Sequence, residues 1–152
     1  KGVIPIYSTY TFDGLTLPVI GADAVGSLMS LIWAVNLENS VNKEFVTAYL
    51  RKYGKEPSSF SAHGYDAMLL LDAAVKNVKG DLDDKEKVRA AIKAGTETTR
   101  GKLRFGNNQF PVQDYYLIEV VAGGAGGMPS AHSIEKIESN VQDIYAKSCP
   151  MK

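Results

Sequence analysis

The chain has 152 residues, and its seventeen Lys and Arg balance seventeen Asp and Glu, so the formal net charge is zero. That excludes the cationic surface needed for nucleic acid or anionic lipid, and 45 % apolar with 22 % charged residues is a globular mixture, not a disordered one. A single Cys excludes an internal disulfide framework and a Cys-rich zinc site, and no apolar run approaches the ~18 residues of a membrane helix.

Val3 to Tyr7 is a short apolar run between Gly2 and Ser8-Thr9, the pattern of a core strand. A domain rarely starts there, so the sequence predicts a natural length beyond 152 residues. Tyr10 to Gly14 reads as a loop or a very short helix, and Gly21 and Gly26 bracket a small-residue stretch. Ser27 to Val35 is nearly all apolar and ends at a polar run from Asn36, which predicts a second strand. Asn42 is placed as the N-cap of an amphipathic helix carrying Phe45, Val46, Tyr49, Leu50 and Tyr53 on one stripe, with Gly54 past its end. Pro57, Ser58 and Ser59 read as a loop.

Tyr65 to Lys79 predicts a helix apolar nearly all round, hence packed on most sides, and closed by Gly80. Asp83 and Glu86 have the spacing of a capping box for a third helix, with Val88, Ala91 and Ile92 inward and Gly95 at its stop. Gly101 to Phe105 and Val112 to Val121 read as strands around a turn at Gly106-Asn107-Asn108. On the longer one Val112, Tyr116, Ile118 and Val120 share a face. A Gly-rich loop from Ala122 to Pro129, an alternating stretch from Ser133 to Glu138 and a terminal helix from Asn140 to Ser148 complete an incomplete α/β order.

Little catalytic chemistry is legible. Gly123 to Gly127 lacks the last Gly of a dinucleotide fingerprint and is followed by Pro129, so it reads as a hairpin loop. His63 and His132 lie far apart without a metal-binding spacing. His63, just ahead of the apolar helix, reads as a hydrogen-bonding residue behind a site. Asp66 and Asp72 are six residues apart, off a common helix face, with Asp66 read as a cap or dipole partner. No Gly-x-Ser-x-Gly elbow occurs. Tyr7, Tyr10, Phe12 and Trp33 cluster in the first third, and Tyr10 follows a strand end, where open α/β sheets bind ligands.

Pro57-Ser58-Ser59-Phe60-Ser61-Ala62-His63-Gly64-Tyr65-Asp66-Ala67 resembles the Pro-Ser…Tyr-Asp-Ala signature of type I periplasmic substrate-binding proteins. More narrowly, it is similar to the branched-chain amino acid group of the ABC-transporter receptors. FVTAYLRKYG before it, AAIKAGTETTRGKLRFGNNQFPVQDYYLIEVV after it, IPIYSTYT with LPVIG, and QDIYAKSCPMK resemble family segments in collinear order.

The resemblance implies an α/β fold of two Rossmann-like lobes joined by three crossover strands, this chain being the C-terminal part. It places residues 1–32 at the end of the second lobe, 33–113 in the returning part of the first lobe and 114–152 in the last crossover and the return to the second lobe. It implies a non-enzymatic periplasmic or extracellular receptor, exported from the cytoplasm, without cofactor or metal. Such a receptor captures a small organic acid or amino acid between its lobes and hands it to an ABC-transporter permease. The alternative is a ligand-sensing module of a receptor or regulator with the same lobes. Partners implied are the small-molecule ligand, the permease and the missing N-terminal part, in the same or a separate chain.

Tyr10, with Thr9 and Ser8, falls where amino-acid receptors place the acid that meets a ligand ammonium, and no acid stands there. That departure fits a ligand without an ammonium, such as an aromatic or aliphatic acid. Phe60 matches an aromatic lining the cleft, and Trp33 falls at the hinge or packs between the lobes. Cys149 is either a free thiol or the partner of a Cys in the missing part.

Overall fold

The computed structural model describes residues 5–151. The strand expected from Val3 therefore lies partly outside them, and within them β1 is Tyr7–Thr9. β1 runs parallel to β2 (Leu28–Leu31), with Tyr7 beside Leu28 and Thr9 beside Ser30. β2 is antiparallel to β5 (Pro111–Val121), which is also antiparallel to β6 (Ser130–Val141). The first residues of β5 pair instead with β4 (Gly101–Phe105), itself paired with the three-residue β3 (Thr96–Thr98). The result is a mixed sheet of order β1-β2-β5-β4-β3 with β6 on β5. β5 thus serves two units. Its C-terminal half completes the β1–β2–β6 unit, and its N-terminal end leads into the β3–β4 hairpin and the helices packed on it.

Register decides which side chains meet. Ser8, Met29 and Ile118 are neighbours across β1, β2 and β5 and so point to one face. Leu31 and Val120 lie two residues along on that face, and Met29, Leu31, Ile118 and Val120 are all buried. Leu17 of α1 (Leu17–Ile20) and Phe12 belong to the same cluster. It continues through Trp33 to Phe45 on α2 (Ser40–Tyr53) and Ala62 on α3 (Ser59–Asn77).

Five sequence expectations are corrected. Asn39, not Asn42, caps α2, accepting from the Asn42 N–H at 2.8 Å. The Asn42 side chain is fully buried and occupied elsewhere. It accepts from Trp33 Nε1 at 2.7 Å and donates to the carbonyls of Ala34, Val35 and Leu37. These carbonyls belong to the irregular chain between β2 and α2, where the amide supplies the donors that a ladder would otherwise give. Similarly, Asp84, not a box of Asp83 and Glu86, caps α4 (Lys85–Lys93), while Glu86 pairs with Arg89.

α3 begins six residues before Tyr65, because Ser58 caps it by accepting from the Ser61 N–H at 3.2 Å. Its circumference is not covered all round: Ala62, Asp66 and Ala74 are buried, whereas Met68, Leu71 and Val75 form an open stripe. No terminal helix forms from Asn140. β6 runs through it to Val141, which pairs with Gln113, and the left-handed φ of 55° at Asn140 falls one residue before the strand's end. Only a 3-10 turn, Ala146–Ser148, follows, held by Asn107 Nδ2 donating to the Ala146 carbonyl at 2.6 Å.

Candidate functional site

The loop after β1 sets the geometry. Tyr10 has φ 56°, a left-handed conformation that costs a residue with a Cβ on the order of 1 kcal/mol. Beyond it, Asp13 folds the chain back: Oδ1 accepts from the Leu15 N–H at 2.9 Å, and the Asp13 N–H donates to Thr16 Oγ1. Asp13 Oδ2 accepts from both the N–H and the Oγ of Ser59, at 3.1 and 2.8 Å. A buried carboxylate from 46 residues upstream therefore sits on the first N–H of α3, where the helix dipole favours negative charge. The loop approaches so closely that a Cβ on Gly14 would lie 2.6 Å from the Pro57 carbonyl oxygen, which only glycine avoids.

That docking brings the first turns of α3 to the loop. Phe60 is largely exposed and stands edge-on to His63, with ring centroids 6.4 Å apart. Burial, and then the Arg100 guanidinium, push the His63 pKa below its ordinary value against the opposing pull of Asp66 and Asp13. The imidazole is therefore neutral near pH 7. Its Nε2 is buried and has no hydrogen-bond partner among the described residues. Burial, and then Tyr115, push the Tyr10 pKa up while Arg100 pulls it down, so the Tyr10 phenol keeps its proton and can donate.

Arg100, which follows β3, ties these parts together. Its Nε donates to Asp66 Oδ2 and its Nη1 to Gln113 Oε1, both at 2.8 Å. The other Asp66 oxygen accepts from the Thr99 N–H at 2.8 Å. The Asp66 side chain is 1 % exposed and that of Arg100 14 %. Sequence reasoning placed Asp66 at a helix start and did not single out Arg100. Asp66 instead lies one turn beyond His63 on α3. A signal was present, since a carboxylate among apolar helix residues needs a cation, but the partner is 34 residues away.

The expected residues do not all converge. Phe60 and His63 stand together on α3, and Arg100 lies near enough to both His63 and Tyr10 to act on their charge, as Tyr115 does on Tyr10. Thr9 is exposed at the end of β1, where its carbonyl accepts from Thr11 Oγ1. Ser8 points to the side of β1 opposite to Thr9, into the covered face with Met29, and its buried Oγ has no partner among the described residues. Trp33 is a core residue, 2 % exposed, held by Asn42 and packed edge-on to Phe45. Among the described residues Cys149 has no disulfide partner, and it is partly buried.

A groove of about 920 Å³ lies along residues 36–39, β4 and the start of β5. It reaches Arg100 but is lined by none of Tyr10, Phe60 and His63. Four of its charged groups are already paired within the chain: Arg100 with Asp66, Glu38 with Lys43, and Lys136 with Asp114. Arg104 meets Asn140.

Chemically, the convergent group offers aromatic faces, a phenol donor and a neutral imidazole. Its two carboxylates, Asp13 and Asp66, have all four oxygens engaged, so neither stands free for a ligand cation. Among the described residues no three His, Cys, Asp or Glu side chains gather in a way that could hold a metal ion, and no helix is long and apolar enough to cross a membrane.

A family model described as periplasmic binding protein matches residues 1–125. No curated protein matches the chain in sequence. Among solved structures, it is similar to an ABC-transporter solute-binding protein from R. palustris in complex with benzoate, at 29 % identity and a TM-score of 0.80 over 93 % of this chain and 38 % of that one. A solute-binding protein from Rhodopseudomonas palustris BisB5 in complex with 3,4-dihydroxybenzoic acid matches at 28 % identity and TM-score 0.73, over 87 % of this chain and 36 % of that one. A substrate-binding protein from Desulfitobacterium hafniense in complex with Leu matches at 25 % identity and TM-score 0.63, over 86 % and 36 %. The chain thus spans little more than a third of the length of these relatives, which are binding proteins and not enzymes.

Proposed function

The chain belongs to the periplasmic binding protein family, and from that premise we propose that it is the C-terminal part of an exported receptor that captures a small organic acid and delivers it to an ABC-transporter permease. In this reading the β1–β2–β6 unit belongs to one lobe and α2, α3, α4 and the β3–β4 hairpin to the other. Residues 32–35 and β5 cross between them, near the divisions at 32 and 113. The ligand lies against Tyr10, Phe60 and His63, with Thr9 at the rim. Trp33 and Ser8 support their units from within. The open stripe of Met68, Leu71 and Val75 is covered by the rest of the receptor, as an exposed apolar helix face of this kind ordinarily is.

The carrying observation is that no carboxylate in the convergent group is free. An α-amino acid needs an acid for its ammonium, and Tyr10 stands where the resemblance expects one. Asp13 and Asp66 are each spent on Ser59, Leu15, Thr99 and Arg100. Aromatic walls and a phenol donor instead suit an aromatic carboxylate, the class found with two of the relatives. The test is calorimetry on the intact receptor with benzoate as probe. Tyr10→Ala and Phe60→Ala are each expected to weaken binding by roughly 1–3 kcal/mol, the scale of a lost aromatic contact. Unchanged affinity in both would remove them from the site.

A further inference from the structure

Two carboxylates cross between the units in opposite directions. Asp13, from the loop after β1, reaches α3 and accepts from the N–H and Oγ of Ser59. Glu56, from the segment just before α3, reaches back to the β5–β6 hairpin. Its Oε2 accepts from Ser130 Oγ at 2.6 Å and its Oε1 from the Ala125 N–H at 3.3 Å. Ser59 and Ser130 are both completely buried. Between the two crossings lies the tight contact of Gly14 on the carbonyls of Glu56 and Pro57.

We propose that Asp13 and Glu56 form a reciprocal latch that holds the two units closed, and that they are positioning residues which set how long a ligand is retained. The proposal rests on the two-lobe reading above.

The chemistry suits a latch that can open. Neither carboxylate is in an ion pair among the described residues; both are held by hydroxyl and backbone donors alone. Water can supply equivalent donors when the units part, so no charge is left buried and unpaired as it would be on breaking an ion pair. A ligand bound between the units adds contacts made only in the closed form, and the latch adds to the same state. Weakening it should therefore raise the dissociation rate, and the association rate should change only as far as the open fraction grows, because encounter takes place with the open form.

The test uses the intact receptor with Cys149→Ser and spin labels at Asp23→Cys and Glu44→Cys, exposed positions on the two units. Distance distributions are measured without ligand for the otherwise wild-type protein, Asp13→Asn and Glu56→Gln. The variants are nearly isosteric, and Glu56 is only partly buried, so Glu56→Gln decides if Asp13→Asn fails to fold. Each variant should lengthen the mean distance and raise the benzoate dissociation rate about tenfold, with any rise in the association rate matching the rise in the open population. Folded variants whose distance distribution coincides with that of the parent overturn the latch. If the parent binds no benzoate, the ligand reading fails, and the ligand-free distances still decide the latch.

Discussion

Replacing Asp66 by Asn should cost the receptor about 3 kcal/mol of stability, at the low end of what is lost when one partner of a buried ion pair is removed. The figure follows from the surroundings of the carboxylate. The Asp66 side chain is 1 % exposed and receives two bonds, from Arg100 Nε and the Thr99 N–H. An Asn can keep its oxygen toward Thr99 but then turns an NH₂ donor toward the Arg100 donor. The guanidinium is left with Gln113 and little water, its side chain being 14 % exposed. That residual exposure and the Gln113 bond hold the cost below the upper end of the range. Urea unfolding of the intact receptor measures it, with Arg100→Met and the double variant completing a cycle. The double variant should lose clearly less than the sum of the singles, because no charge then remains unpaired. A cost under about 1 kcal/mol for Asp66→Asn, or strict additivity, would refute the view that this pair braces the site.

Other outcomes follow from the same geometry. Tyr10→Gly should relieve the left-handed backbone and leave unfolding stability unchanged or up to about 1 kcal/mol higher, while weakening benzoate binding; a clear loss of stability would mean that the loop depends on the Tyr10 ring for its shape. His63 is held below its ordinary pKa, so the unfolded chain takes up a proton that the folded chain resists. Its contribution is fully present above about pH 6.5 and is lost as pH falls from there toward the folded value. His63→Gln should flatten that part of the stability profile, and an identical slope in the variant would contradict the assignment.

The sequence is legible where local pattern and burial agree. The stripe of Phe45, Tyr49 and Tyr53, with Gly54 after it, marks α2 within a few residues, and Ile118 and Val120 mark the covered face of β5. Caps were misplaced where a polar side chain found a better bond in three dimensions. Asn42 looks like a cap on spacing, yet three carbonyls and the Trp33 N–H take its amide into the core. The terminal helix failed because a strand partner outcompetes a weak helical pattern: Val141 pairs with Gln113, and Asn140 is already left-handed.

Of the proposed site, Tyr10, Phe60 and His63 are legible from the strand end and the family-like segment. Ser8 is close to Tyr10 in sequence, but it sits beside Met29 on the covered face, and β1 ends at Thr9 before the left-handed φ of 56° at Tyr10, so the strand alternation does not carry on to Tyr10. Arg100, Glu56 and the role of Asp13 were out of reach, since their partners lie 34, 74 and 46 residues away.

The central claim is that the receptor takes an organic acid without an ammonium group. Its most direct test is the thermal midpoint of the intact receptor against benzoate, 4-hydroxybenzoate, a dicarboxylate, leucine and phenylalanine at equal concentration. A ligand that binds only the folded state raises that midpoint by an amount that grows with the logarithm of its concentration over its dissociation constant. The aromatic acids should raise it and the two amino acids should not. A shift with leucine or phenylalanine and none with the acids would contradict the claim.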